Sequence, residues 1–156
     1  MIQRIQTIFL ALVAILAIVS SFLPIMSLSG ETGEFVMNSY KTFSVADASI
    51  LTKNMGVGVL QGLVLLVAIA SIFMFKNRSL QIKLSKFNIL LIALEIVAIV
   101  VYSDFAKAAI AAVPETVIVS FKLGAIIPVL SLILTYLAIR FIKKDDALVR
   151  SADRLR

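Results

Sequence analysis

The chain has 156 residues, 61% of them apolar, with a mean hydropathy of +1.07, a net charge of +6, and no Cys, His or Trp. Soluble domains are roughly 45–50% apolar, so this composition nearly excludes a water-soluble globule. Without Cys or His there are no disulfides, thiol nucleophiles, His general bases or usual zinc and haem ligands. No enzymatic activity, metal or cofactor is therefore expected.

A membrane-crossing helix needs roughly 20 mostly apolar residues to traverse about 30 Å of hydrocarbon. Thr7 to Met26 and Gly56 to Phe75 meet that need without a charge, and Leu123 to Ile142 contains only Arg140, near its end. Phe87 to Tyr102 is shorter and holds Glu95, but no Gly or Pro interrupts the chain between Lys86 and Val113. That third helix is expected to continue to Pro114 and stand above the membrane, with Asp104 and Lys107 paired on its exposed turn. The fold class expected is an all-α membrane protein: one domain over 1–156, built as a four-transmembrane-helix bundle with a small extracytoplasmic β cap. External loops cover 27–55 and 103–122, and a cytoplasmic tail covers 143–156.

Lys and Arg in short connections stay on the cytoplasmic side. Eleven lie at one end of the predicted bundle: Arg4, Lys76, Arg78, Lys83, Lys86, Arg140, Lys143, Lys144, Arg150, Arg154 and Arg156. Four lie at the other: Lys41, Lys53, Lys107 and Lys122. Both termini of a multi-pass protein are therefore expected to be cytoplasmic. Topology and anionic inner-leaflet lipids account for the positive charge, and no nucleic-acid partner is expected. Ser27-Leu28-Ser29 after an apolar run has the form of a signal cleavage site. The run exceeds the usual 7–15 residues and the charged region before it is thin, so it is expected to stay uncleaved.

In the first external loop, Gly30-Glu31-Thr32-Gly33 is a turn signal between Ile25 to Ser29 and Glu34 to Ser39, which predicts a hairpin. Val45, Ala48, Ile50 and Leu51 then suggest a short surface helix over Ser44 to Asn54. In the second loop, Glu115 to Phe121 reads as a strand that joins the hairpin in a three-stranded cap. Claudin-type proteins use a similar layout, which licenses no function. Disordered loops are the alternative. In the tail, Leu148, Ala152 and Leu155 share one side, and Lys143, Lys144, Arg150, Arg154 and Arg156 supply charge. A short amphipathic helix on inner-leaflet headgroups is expected, with a docking handle for a soluble partner as the sharper alternative.

Glu95 lies about 10 Å below the outer surface at the helical rise, and Gln61, Ser131, Ser20 and Ser21 fall at a similar depth. No Lys or Arg shares that level. A neutral Glu95 hydrogen-bonded to Gln61 or a Ser would bind helices together, whereas a hydrated one would serve a proton or cation path. Gly58 and Gly62 form a G-x-x-x-G pair expected to seat another helix of the chain, with a homodimer as the alternative. Pro128 is expected to bend the fourth span near Ser131.

The start, Met1-Ile2-Gln3-Arg4-Ile5-Gln6-Thr7, and the finish, Lys143-Lys144-Asp145-Asp146 through Leu148-Val149-Arg150-Ser151-Ala152-Asp153-Arg154-Leu155-Arg156, resemble a known family. It is the four-span inner-membrane proteins of Bacteroidota grouped as domain of unknown function 4293. The resemblance implies localisation and span number, and carries no catalytic residues. A non-enzymatic accessory or scaffold subunit of a larger membrane complex, with an unidentified membrane-protein partner, is the function expected. The alternative is a small oligomeric proton- or cation-coupled carrier or channel using Glu95.

Overall fold

The computed structural model describes residues 3–31, 33–75 and 77–154, with backbone alone at 3, 4, 150 and 152–154. Four helices, α1 (Gln3–Ser20), α2 (Met55–Phe73), α3 (Arg78–Ile110) and α4 (Leu123–Arg154), pack together, α1 against α2 and α4, and α3 against α2 and α4. At one end sits a sheet of β1 (Met26–Gly30), β2 (Gly33–Met37), β3 (Lys41–Ser44), β4 (Ile50–Lys53) and β5 (Ile118–Phe121). We call this the sheet end, and the opposite end the tail end.

Met55–Phe73, Arg78–Ile110 and Leu123–Val149 are long and apolar enough to cross a membrane, whereas the apolar run of α1, Ile5–Ser20, is shorter. Each helix turns an apolar face outward: Ile8 and Ile15 on α1, Val59 and Leu66 on α2, Leu90 and Val97 on α3, and Ile126 and Ile133 on α4 are exposed. The first expected span, Thr7 to Met26, ends early as a helix. After Ser20 the chain closes in three-residue turns, and Pro24 has no N–H with which to continue. Met26 already belongs to β1.

β1 is the central strand of the order β4-β3-β2-β1-β5, antiparallel throughout. Alternation decides its faces: Met26 and Leu28 point into the core with Phe35 and Met37 of β2, while Ser27 and Ser29 point away. That core also takes Ile99, Ala106 and Ile110, so the upper part of α3 is the sheet's support. α3 spans 33 residues, about 50 Å at the helical rise, which exceeds a bilayer's hydrocarbon thickness. It runs unbroken past Phe105, as expected, and Lys107 Nζ lies 2.9 Å from Asp104 Oδ1 on the exposed turn.

Three expectations about the loops and tail need correction. The cap has five strands rather than three, because the segment read as a surface helix folds as β3, a turn and β4. Local hydrogen bonds outcompete the helix there: Ser44 Oγ accepts from the Ala46 N–H, and Asp47 Oδ1 accepts from both the N–H and hydroxyl of Ser49. Ala48, at φ +57°, turns the chain back. The strand read from Glu115 begins only at Ile118, since Pro114–Thr116 forms a single 3-10 turn. The tail is no separate amphipathic helix: α4 runs without interruption through Pro128 to Arg154, with no Gly or Pro beyond Pro128 to stop it. The β1–β2 hairpin is as expected, with Gly33 at φ +126°, a conformation that favours glycine; Thr32 lies outside the described residues.

Candidate functional site

Of the expected polar layer, part converges and part does not. Because α1 ends at Ser20, the Ala17 carbonyl loses its intrahelical partner. The Gln61 amide, at 3.0 Å, and the Ser21 hydroxyl, at 3.2 Å, both donate to it. Gln61 thus links α2 to α1. Ser20 is buried, and its carbonyl accepts from the Ser39 hydroxyl at 3.5 Å. Ser131 is buried on α4, where its carbonyl accepts from Thr135. Glu95 is only 4% exposed, and its carboxyl has no hydrogen-bond partner among the described residues. The expected bond from Glu95 to Gln61 or a Ser is therefore not formed: the Gln61 amide N–H goes to the freed Ala17 carbonyl, and the Gln61 Oε1 also has no partner among the described residues.

Glu95 belongs to a longer polar face. On α3 the buried residues Gln81, Ser85, Asn88, Ile92, Glu95, Ile99 and Ser103 recur every three or four positions, one side of a helix. Gln81, Ser85 and Asn88 are fully buried. The Gln81 amide donates to the Ser71 carbonyl of α2 at 3.0 Å, but its Oε1, the Ser85 hydroxyl and both polar atoms of the Asn88 side chain have no partner among the described residues. Sequence reasoning missed these three because it started the third span at Phe87. Spacing alone carried the signal, since each lies on the heptad face of Glu95.

At the tail end Arg78 joins α3 to α4. Its Nη1 donates to the Asp145 carbonyl at 3.1 Å, and its Nη2 lies 3.1 Å from Asp145 Oδ2, close enough for an ion pair but poorly aligned for a hydrogen bond. Nearby, Phe9 of α1 stacks on Phe141 of α4 with ring centres 5.4 Å apart. Lys143 and Lys144 are exposed, while Arg156 and the side chains of Arg150 and Arg154 lie outside the described residues.

The glycine pair does not seat another helix of the chain. A methyl group on Gly58 would strike the Tyr40 ring and approach the Ser39 carbonyl, so Gly58 makes room for the β2–β3 turn. Around Gly62, apart from its chain neighbours and the backbone of its own helix, nothing among the described residues lies within 4 Å of where its Cβ would stand. The turn descends onto this end of α2 and takes the place a helix was expected to fill.

On the outer surface, β5 is a free edge whose Ile118 and Phe121 are 69% and 72% exposed. Phe121 stands at the mouth of an apolar groove of about 380 Å³ between Ile96 and Ile99 of α3 and Ala125, Ile126 and Val129 of α4. The groove continues from the sheet edge down the bundle.

These features define a class: a mostly helical protein with membrane-compatible helices, a small antiparallel sheet at one end, and a polar face hidden inside the bundle. Within that class, the chain belongs to the family described as Domain of unknown function (DUF4293), whose model matches residues 2–155. No curated protein matches it.

Proposed function

We propose that the chain is a four-span protein of the bacterial inner membrane, with both termini cytoplasmic, acting as a non-enzymatic accessory or scaffold subunit for another membrane protein. The observation that carries the reading is the continuity of the free β5 edge with the α3–α4 groove. Exposed main-chain groups on an edge strand can be extended by another chain, and an apolar groove below it suits the partner's membrane helix. α1 counts as the fourth span because Gln61 bonds it to α2 near one end and Phe9 stacks it on α4 near the other. It therefore shares the depth of its neighbours. The Lys and Arg asymmetry supports the orientation with the sheet outside.

Two experiments test this. In intact cells, a Cys placed at Glu31 should label with an impermeant maleimide while one at Ser79 should not; the reverse pattern refutes the orientation. In mild detergent the chain should migrate with a stoichiometric membrane partner that is lost on Ile118→Lys with Phe121→Lys. Migration as a lone chain refutes the scaffold.

A second reading, a proton- or cation-coupled carrier, draws support from the unpartnered carboxyl of Glu95. It requires a pH-dependent flux in reconstituted vesicles that Glu95→Gln abolishes.

A further inference from the structure

The unpartnered groups on α3 are concentrated in its lower half. Gln81, Ser85 and Asn88 follow one another at four and three residues, and each is fully buried. Between them they leave one amide oxygen, one hydroxyl and a whole carboxamide without a protein partner among the described residues. Buried polar groups are almost always satisfied, and lipid offers no hydrogen bonds that could stand in.

Side chains three or four apart on a helix have Cβ atoms about 5–6 Å apart, the span of two hydrogen bonds through one water molecule. By residue count, small and polar residues share this level with buried apolar ones such as Ile139 and Ile142 of α4. On α2, Ala68 lies one turn above the Ser71 carbonyl that Gln81 reaches. On α4, counting equal steps from the Arg78–Asp145 contact places Thr135 level with Asn88, about 15 Å into the bundle. The next residue on the face after Asn88 is Ile92, fully buried and apolar, and Glu95 lies beyond it.

We infer that Gln81, Ser85 and Asn88 bind a short column of internal water, entered from the tail end beside the Arg78–Asp145 contact and closed at its upper end by Ile92. Water bridges Gln81 Oε1 to the Ser85 hydroxyl, and the Ser85 hydroxyl to one polar atom of the Asn88 carboxamide, and a third water pairs with the other, which satisfies the orphaned atoms of the three residues. Ile92 separates this column from Glu95. The site takes water, and it stands whether the protein is a scaffold or a carrier.

The chain has no native Cys, so single thiols report directly on local water. In lipid nanodiscs, Ser85→Cys and Asn88→Cys should react with Ag⁺, read as protection from later maleimide labelling in detergent. Both should react at least about tenfold faster than Ile92→Cys and the outward-facing Val97→Cys, because the reactive thiolate needs water around it. Adding Gln81→Leu to Asn88→Cys should slow the reaction several-fold by drying the entry. The inference is overturned if Ser85→Cys and Asn88→Cys react no faster than Val97→Cys. It is overturned equally if Gln81→Leu leaves the Asn88→Cys rate unchanged, since water would then arrive by another route. Ser85→Cys exchanges one oxygen for sulfur and keeps the test valid should Asn88→Cys fail to fold.

Discussion

Gly124, in the first turn of α4, packs against the Pro24–Ile25 backbone that leads into β1, and Gly124→Ala measures how tightly the sheet is set on the helices. The added Cβ would stand 2.6 Å from the Pro24 carbonyl oxygen, 2.9 Å from its carbon and 3.1 Å from Ile25 Cα. All three are backbone atoms, so no side chain can swing aside. Reaching the roughly 3.5 Å at which carbon atoms pack well requires a shift of about 0.6 Å from the carbonyl carbon. The same movement stretches the 3.0 Å hydrogen bond from the Gly124 N–H to the Pro24 carbonyl and strains the neighbouring 2.9 Å bond from Lys122 to Ile25. Overpacking costs about 1–3 kcal/mol, and a weakened hydrogen bond adds about 1 kcal/mol. Alanine's better helix propensity returns less than about 1 kcal/mol in a first turn. The net expectation is a loss of about 1–3 kcal/mol. Gly62→Ala is the control: apart from its chain neighbours and the backbone of its own helix, nothing among the described residues lies within 4 Å of its Cβ, so the same chemical change should be neutral or slightly stabilising. Equilibrium unfolding of both variants in one detergent checks this. If Gly124→Ala matches the wild type, or Gly62→Ala is the less stable of the two, the close seating of α4 under the sheet is wrong.

Arg78→Ala and Asp145→Ala should each cost about 1–3 kcal/mol, below the roughly 3–5 kcal/mol of a fully buried pair because both side chains keep some exposure. A double-mutant cycle should show the combined variant losing less than the sum, and strict additivity would refute the pairing. Asp47 is held below its ordinary value of 3.8 by hydrogen bonds from Ser44 and Ser49. A depressed carboxyl contributes stability above its unfolded pKa and loses it as pH falls through the folded one, so the β3–β4 turn should loosen only below pH 3.8. Amide exchange at Ser49 that accelerates already between pH 6 and 5, where about no Asp titrates, would contradict this. Glu95 has no hydrogen bond to lose, so Glu95→Leu should be at least as stable as Glu95→Gln, the reverse of what a shared bond to Gln61 would produce. Thermal unfolding of the two variants in nanodiscs decides.

How much was legible depends on which physical signal a residue carries. The long apolar helices announced themselves through length and hydropathy, and the hairpin through Gly30 and Gly33, whose spacing leaves room for a two-residue turn. The end of α1 was misplaced because Leu23, Ile25 and Met26 are apolar in strand and helix alike, and only Pro24 marked the break. β3 and β4 were hidden by Ala48, an ordinary helix former held at positive φ by a turn whose Ser and Asp bonds are visible only once folded. In the candidate site, the depths of Glu95 and Gln61 were readable by counting residues. Their partners were not, because the Ala17 carbonyl becomes available only where α1 ends.

α3 also explains why the sheet and the buried polar face belong to one mechanical unit. Its upper part, from Ile99 to Ile110, lies in the core beneath β1 and β2, while Leu91 and Ile92 pack in the core between α1 and α2. Its lower part carries Gln81, Ser85 and Asn88 and ends at Arg78, which grips α4. A helix resists axial compression, and packed cores shift between discrete arrangements rather than deforming smoothly. α3 thus joins the sheet core, Ile92 and the Arg78–Asp145 contact in one continuous element.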